Sequence, residues 1–139
     1  MGNPFIEIRH LYKSFKNSKG ETIQVLDDVD LEIAKGEMFG IMGFSGAGKS
    51  TLVRCINRLE EPDSGDVIIN GMNVTQLGTS ALNERREKIG MIFQTFNLFD
   101  SMSVFRNIEF PLKATIKDKA KRKERVLELA DVVGLSEKI

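Results

Sequence analysis

The sequence predicts an α/β fold. It opens on alternating strands, passes from an apolar strand through a glycine-rich turn into a helix, and ends near a second amphipathic helix. In Phe5-Ile6-Glu7-Ile8-Arg9, Ile6 and Ile8 share one face, the pattern of a strand half covered by a core. Asn17-Ser18-Lys19-Gly20 is a turn cluster. Thr22 to Val25 then reads as a returning strand, and Val29, Leu31 and Ile33 alternate again as a third. Lys35-Gly36-Glu37 makes another tight turn, which closes a small and mainly antiparallel opening sheet.

Met38-Phe39-Gly40-Ile41-Met42 is apolar throughout, the pattern of a strand covered on both faces. A helix is predicted soon after it, because Leu52, Ile56 and Leu59 recur at helical spacing with Val53 beside them; Pro62 and Gly65 stop it. Asp66 to Asn70 reads as a strand closed by Gly71, Ala81 to Lys88 as a short polar helix, and Ile89 to Phe93 as a buried strand ending at Gln94. The last long helix runs from about Lys117 to Val133, with Val126, Leu129, Ala130 and Val133 as its apolar stripe and Gly134 as its cap. Residues 113–125 carry seven basic side chains against two acidic ones, which reads as a solvated helix face rather than a phosphate or lipid site.

Composition narrows the class of partner. At 41% hydrophobic and 29% charged, the chain has the make-up of a soluble globular domain. Lys plus Arg equals Asp plus Glu, 20 against 20, so nothing in the charge points to nucleic acid. No apolar run approaches the roughly eighteen residues that a bilayer span needs. Met1-Gly2-Asn3-Pro4 lacks the basic and apolar regions of a signal peptide, and Gly2 is not followed by a myristoylation pattern. The single cysteine, Cys55, rules out an internal disulfide, suits a reducing compartment and reads as a core residue of the first helix. His10 reads as a surface residue.

The chemistry sits between the apolar strand and the first helix. Gly43-Phe44-Ser45-Gly46-Ala47-Gly48-Lys49-Ser50 satisfies the whole G-x-x-x-x-G-K-[ST] pattern of a phosphate-binding P-loop, with the flanks that pattern requires. Triphosphate oxygens crowd negative charge into a small volume and need many donors at close range. Glycines at 43, 46 and 48 let the backbone turn tightly and approach phosphate unobstructed. The N–H groups of residues 46–51 then point at the anion from the positive end of a helix. Lys49 adds a mobile charge for the β and γ phosphates, the Ser50 hydroxyl is placed to ligate Mg²⁺, and Thr51 adds a hydroxyl for the α phosphate. The motif by itself implies a nucleoside triphosphate with Mg²⁺.

The run MFGIMGFSGAGKSTLVRCI from Met38 to Ile56 resembles the ATP-binding subunit of ABC transporters. So do Leu11-Tyr12-Lys13-Ser14-Phe15, Pro62-Asp63-Ser64-Gly65 and Ile89-Gly90-Met91-Ile92-Phe93-Gln94, in the family's order and over essentially the whole chain. The resemblance implies an ABC-type P-loop NTPase fold: a mainly antiparallel part at 1–36, a P-loop core at 37–94 ending at the Q-loop glutamine, and the start of a helical subdomain at 95–139. It makes the cofactors ATP and Mg²⁺. Phe15 then matches the aromatic that stacks on adenine. Gln94 matches the glutamine that reaches Mg²⁺ and the attacking water, which makes Lys49 and Gln94 the catalytic candidates. Phe44 stands where the family often has proline. Phe96, Asn97, Leu98 and Phe99 match the surface that docks on a membrane permease.

The resemblance further implies two copies that sandwich two ATP molecules at the cytoplasmic face of a membrane. The segments around Gly90–Phe99, Arg54–Asn57 and Ser103–Leu112 look most like importers of methionine. Importers of polar amino acids and exporters of lipoproteins or macrolides share much of this pattern. No stretch has four apolar residues followed by Asp-Glu, and no LSGGQ signature or switch histidine is present. The expectation is therefore a piece that ends before the signature and is inactive alone. The rival readings are a nucleotide-binding module without catalysis, a chain that self-associates through exposed strand edges, and a P-loop kinase or GTPase, which would leave 11–15 and 89–94 unexplained.

Overall fold

The computed structural model describes residues 4–139; Gly2, the residue weighed for lipidation, lies outside that range. The chain divides into two compact units, Met1–Met91 and Ile92–Ile139.

The first unit is built on strand β1 (Ile6–Lys16), which pairs antiparallel with β2 (Thr22–Ile33) on one side and β3 (Ser64–Ile69) on the other. A short β4 (Met72–Asn73) follows β3, so the sheet order is β2-β1-β3-β4. The period-two pattern that predicted β1 continues past Arg9, interrupted by a bulge at His10 (φ 47°) that shifts the register against both neighbours. The two strands expected between Thr22 and Ile33 form one strand. Irregular register against β1, with Asp28 at φ 49°, breaks the alternation without ending the ladder. Asn70 and Gly71, at φ 50° and 75°, form the mirror-image turn that joins β3 to β4, as an Asn-Gly pair favours.

Helix α1 (Lys49–Ile56) lays Leu52 and Cys55 on the sheet, where they join Ile8, Leu11, Leu26, Val67 and Val74 in the core. It ends earlier than the Leu59 spacing suggested, because Asn57 caps it and Arg58 turns left-handed at φ 51°. Leu59 is half exposed as a result. Arg86, on α2 (Thr79–Arg86), donates to the carbonyls of Asn57 and Arg58 and so satisfies the groups orphaned there. Cys55 is fully buried, and burial pushes its thiol up to about 11, which makes it inert.

Both strands expected to be buried on each face, Met38–Met42 and Ile89–Phe93, are absent from the sheet. Among the described residues every strand pairing is antiparallel and none involves either segment. Ile41 does pack on the core, but Met38 and Ile92 are fully exposed and Met42 is 94% exposed. A run that is apolar on both faces becomes a buried strand only between flanking strands. Residues 4–139 supply none.

The second unit is a helical hairpin of α3 (Val104–Thr115) and α4 (Lys119–Val132). Arg122, almost fully buried, holds it together: its guanidinium lies 2.9 Å from Glu109 and donates to the Ile116 and Lys117 carbonyls at 2.7 and 3.2 Å. That ion pair holds the Glu109 carboxyl below its ordinary range. Val126 and Ala130 are buried as the stripe predicted, whereas Val133 is exposed beyond the helix end. Gly134 caps α4 at φ 71°, with the Leu135 N–H reaching back to the Ala130 carbonyl at 2.7 Å. Most of the basic side chains of 113–125 are exposed, and Arg122 is the exception.

Candidate functional site

The glycine-rich turn lies against β2. A Cβ placed on Gly48 would stand 2.8 Å from the Val25 carbonyl oxygen and 3.2 Å from the Leu26 side chain, and Gly48 holds φ at +85°. Glycine is therefore required twice over, for the left-handed backbone and for the close approach. Gly46 is also left-handed, at φ +81°. Leu52, anchored in the core, fixes the helix axis behind the turn.

The N-terminus of α1 has no side-chain cap; Gly48 occupies the cap position and offers none. The first-turn N–H groups of a helix have no partners within it, so this end presents donors to whatever lies in front. Lys49 folds back over the turn, its ammonium donating to the Gly43 and Phe44 carbonyls at 2.8 and 2.7 Å. Those carbonyls park a positive charge at the mouth of the donor array.

A cavity of about 280 Å³ opens there, lined by Phe15, Val25, Gly46, Ala47, Gly48, Lys49, Ser50 and Thr51. Its lining contains one cation, two hydroxyls, an aromatic ring and no carboxylate. That donor set fits a polyanion carrying a flat apolar group. The ring arrives from β1, where Phe15 pairs with Ile23 across to β2 and remains 39% exposed. A larger hollow of about 470 Å³ lies by Glu7, Arg9 and Lys35, but Glu7 and Arg9 satisfy each other at 2.5 Å, and no helix N-terminus lines it.

Of the residues read as a site, Phe15, Gly46, Ala47, Gly48, Lys49, Ser50 and Thr51 meet around one cavity. Gly43 is outside the lining and accepts from the Lys49 ammonium through its carbonyl, while the Phe44 side chain is 92% exposed. Gln94 belongs to the second unit and is exposed. In that unit Phe96 and Leu98 are 91% and 63% exposed, and Phe99 packs its ring 4.9 Å from that of Phe110. Asn107 bonds the Phe99 N–H and carbonyl and the Met102 carbonyl, so a helix side chain holds this loop in place.

Two residues at the site escaped sequence reasoning. Val25 supports Gly48, and Lys13 sits 5.0 Å from the centre of the Phe15 ring. Strand alternation puts residues 13 and 15 on the same face, and that was the available signal for Lys13. His10, exposed as expected, pairs with Asp28 at 2.8 Å; this bond and the Asp30 carboxylate raise its pKa.

The profile of the ABC transporter family matches residues 26–139. The chain is 48% identical over 133 residues to the methionine import ATP-binding protein MetN 4 of Oceanobacillus iheyensis, covering 96% of this chain and 38% of that protein. It is 49% identical over 135 residues to the methionine import ATP-binding protein MetN 2 of Rhodococcus jostii, covering 97% of this chain and 39% of the relative. The chain thus spans well under half the length of these relatives. A dimeric structure of a bacterial ABC transporter cassette superposes with a TM-score of 0.80 at 35% identity, over 88% of this chain and 54% of that one. The dimeric structure of a post-hydrolysis state of an ATP-binding cassette, bound to ADP and Pi, matches equally well. A P-loop built on an antiparallel sheet, matched this extensively, shows that the chain belongs to the ABC transporter family.

Proposed function

We propose that this chain binds Mg-ATP as the nucleotide-binding part of the ATP-binding subunit of an importer, with methionine as the solute. The observation that carries the reading is the shared cavity, in which Phe15 and the residues from Gly46 to Thr51 face the same space. Backbone N–H groups of residues 46–51 and the Lys49 ammonium would hold the phosphates, with Gly43, Phe44 and Ser45 shaping the turn. Phe15 would take the base, and the Ser50 hydroxyl would hold Mg²⁺; the proposed role of Gln94 rests on the resemblance alone. Bound Mg²⁺ supplies charge neutralisation at the phosphates. The methionine assignment rests on the names of the relatives. In the whole protein, two copies would close over nucleotide, and hydrolysis would reset them. The exposed Phe96–Phe99 segment would dock on a permease at the cytoplasmic face of the membrane. No helix among the described residues is long and apolar enough to cross a membrane.

Phe15→Ala tests the carrying observation. Stacking on a phenyl ring is base-tolerant and worth roughly 1–3 kcal/mol. The variant should bind ATP, ADP and GTP about tenfold more weakly, all by similar factors, in a fluorescence competition assay. Unchanged affinity would place the base elsewhere.

The absence of a carboxylate from the cavity lining favours binding without turnover in these 139 residues. Hydrolysis needs a group that orients water in line with the γ phosphate and an acidic partner for Mg²⁺. Gln94 is neutral and accepts no proton at neutral pH. Phosphate release at saturating Mg-ATP should therefore match that of a Lys49→Ala control. Turnover that Lys49→Ala removes would show that the residues present suffice.

A further inference from the structure

We infer that Lys13 is a positioning residue for the base, bracing the Phe15 ring and tying it to the end of the helix whose other end cradles phosphate. The inference rests on the reading of Phe15 as the base platform. Lys13 is only 11% exposed, far less than a strand lysine with nothing to hold. Its ammonium lies 5.0 Å from the centre of the Phe15 ring, 2.9 Å from Glu60 and 3.5 Å from Asp63, and it donates to the Glu61 carbonyl at 2.7 Å.

The same loop grips β1 on both sides of Lys13. Asp63 accepts from the Ser14 N–H and hydroxyl, each at 2.6 Å, and its own N–H donates to the Tyr12 carbonyl at 2.9 Å. The Glu60 N–H in turn bonds the Arg54 carbonyl in the last turn of α1 at 3.1 Å. A continuous line therefore runs from the donor array at the N-terminus of α1, along the helix, through Glu60 and Lys13, to the Phe15 ring.

Lys13 is not among the residues around the cavity that Phe15 lines, so it can brace the ring without occupying the space a base would enter. A cation over one face of an aromatic ring holds that ring's orientation and leaves the other face free. The ring is then set for stacking before nucleotide arrives, which removes an ordering cost from binding. The line also fixes the separation of base and phosphate subsites. It has no bearing on a ligand that lacks a base.

That last property supplies the test. ATP and inorganic tripolyphosphate are titrated against wild type, Lys13→Met, Lys13→Arg, Phe15→Ala and the Lys13→Met/Phe15→Ala double variant, all as the whole 139-residue chain. Lys13→Met should weaken ATP about three- to tenfold and leave tripolyphosphate unchanged. Lys13→Arg, which keeps both the charge and the ring contact, should recover most of the loss. The double variant should bind ATP no more weakly than Phe15→Ala alone. Equal losses for ATP and tripolyphosphate, or additive losses in the double variant, would overturn the inference. If Phe15→Ala itself leaves ATP binding intact, the stacking reading fails first, a result distinct from a normal Lys13→Met beside a weakened Phe15→Ala. Should Lys13→Met not fold, Glu60→Gln loosens the same ammonium while keeping it charged. It should give a smaller loss confined to ATP, and no loss at all would sink the proposal.

Discussion

Lys49→Ala should lower ATP affinity by about 30- to 150-fold, since a charge-assisted contact to phosphate in a sheltered site is worth roughly 2–3 kcal/mol. Titration of a fluorescent ATP analogue reads the loss directly. Part of it comes from the loop and not from the phosphate. The Lys49 ammonium bonds the Gly43 and Phe44 carbonyls, and its removal leaves that turn to find water instead. Lys49→Arg separates the two contributions. It keeps the charge, but its planar fork does not reproduce a compact ammonium pointing back at two carbonyls. An intermediate affinity is the expected result. Equal affinity of wild type and Lys49→Ala would remove the P-loop assignment itself, and with it the functional reading.

Elements whose stabilising partners lie close along the chain were legible from sequence. The turn from Gly43 to Ser50, α1 with Leu52 and Cys55 inward, the Asn70-Gly71 turn and the cap at Gly134 are all local devices, settled by residue type and short-range geometry. Elements that depend on remote partners were read less well. Met38–Met42 and Ile89–Phe93 have the composition of buried strands, yet strand formation needs a neighbour's hydrogen bonds, which apolar composition cannot reveal. Thr22–Ile33 looked like two strands because Asp27 and Asp28 break its alternation; pairing with β1 carries it through. Helix α3 was not read from the residues themselves, although the resemblance implied a helical part at 95–139. Pro111 inside it masked the signal, although Val104, Ile108 and Leu112 keep helical spacing and Ser103 caps it by accepting from the Arg106 N–H. At the site, the motif and the aromatic were readable one by one. Their meeting around a single cavity, and the ion pairs of Lys13, follow from the register of β1 against β2 and β3.

That register sets the second large effect, at Gly65. A Cβ there would stand 2.2 Å from the His10 carbonyl oxygen and 2.7 Å from both the His10 carbonyl carbon and the Arg9 oxygen, all of them backbone atoms of β1. No rotamer change relieves such a contact; the strand itself has to move. The left-handed bulge at His10 brings this carbonyl against β3, and Gly65 accommodates it at φ +93°. Gly65→Ala then suffers twice: about 1–2 kcal/mol for a Cβ in the left-handed region and about 1–3 kcal/mol for displaced packing. β1 also carries Ile8 and Leu11, both buried in the core, so its displacement spreads inward. A total near 2–5 kcal/mol is a large share of the roughly 5–15 kcal/mol typical of a domain. Gly71→Ala is the control. Its φ of +75° is similarly left-handed, but nothing lies within 4 Å of the added Cβ, so only the conformational cost of about 1–2 kcal/mol applies. Urea denaturation followed by circular dichroism should move the midpoint clearly further for Gly65→Ala than for Gly71→Ala. Equal shifts would mean that β1 yields freely at the bulge. The rigid register invoked to hold Lys13 and Phe15 beside the phosphate cradle would then lose its support.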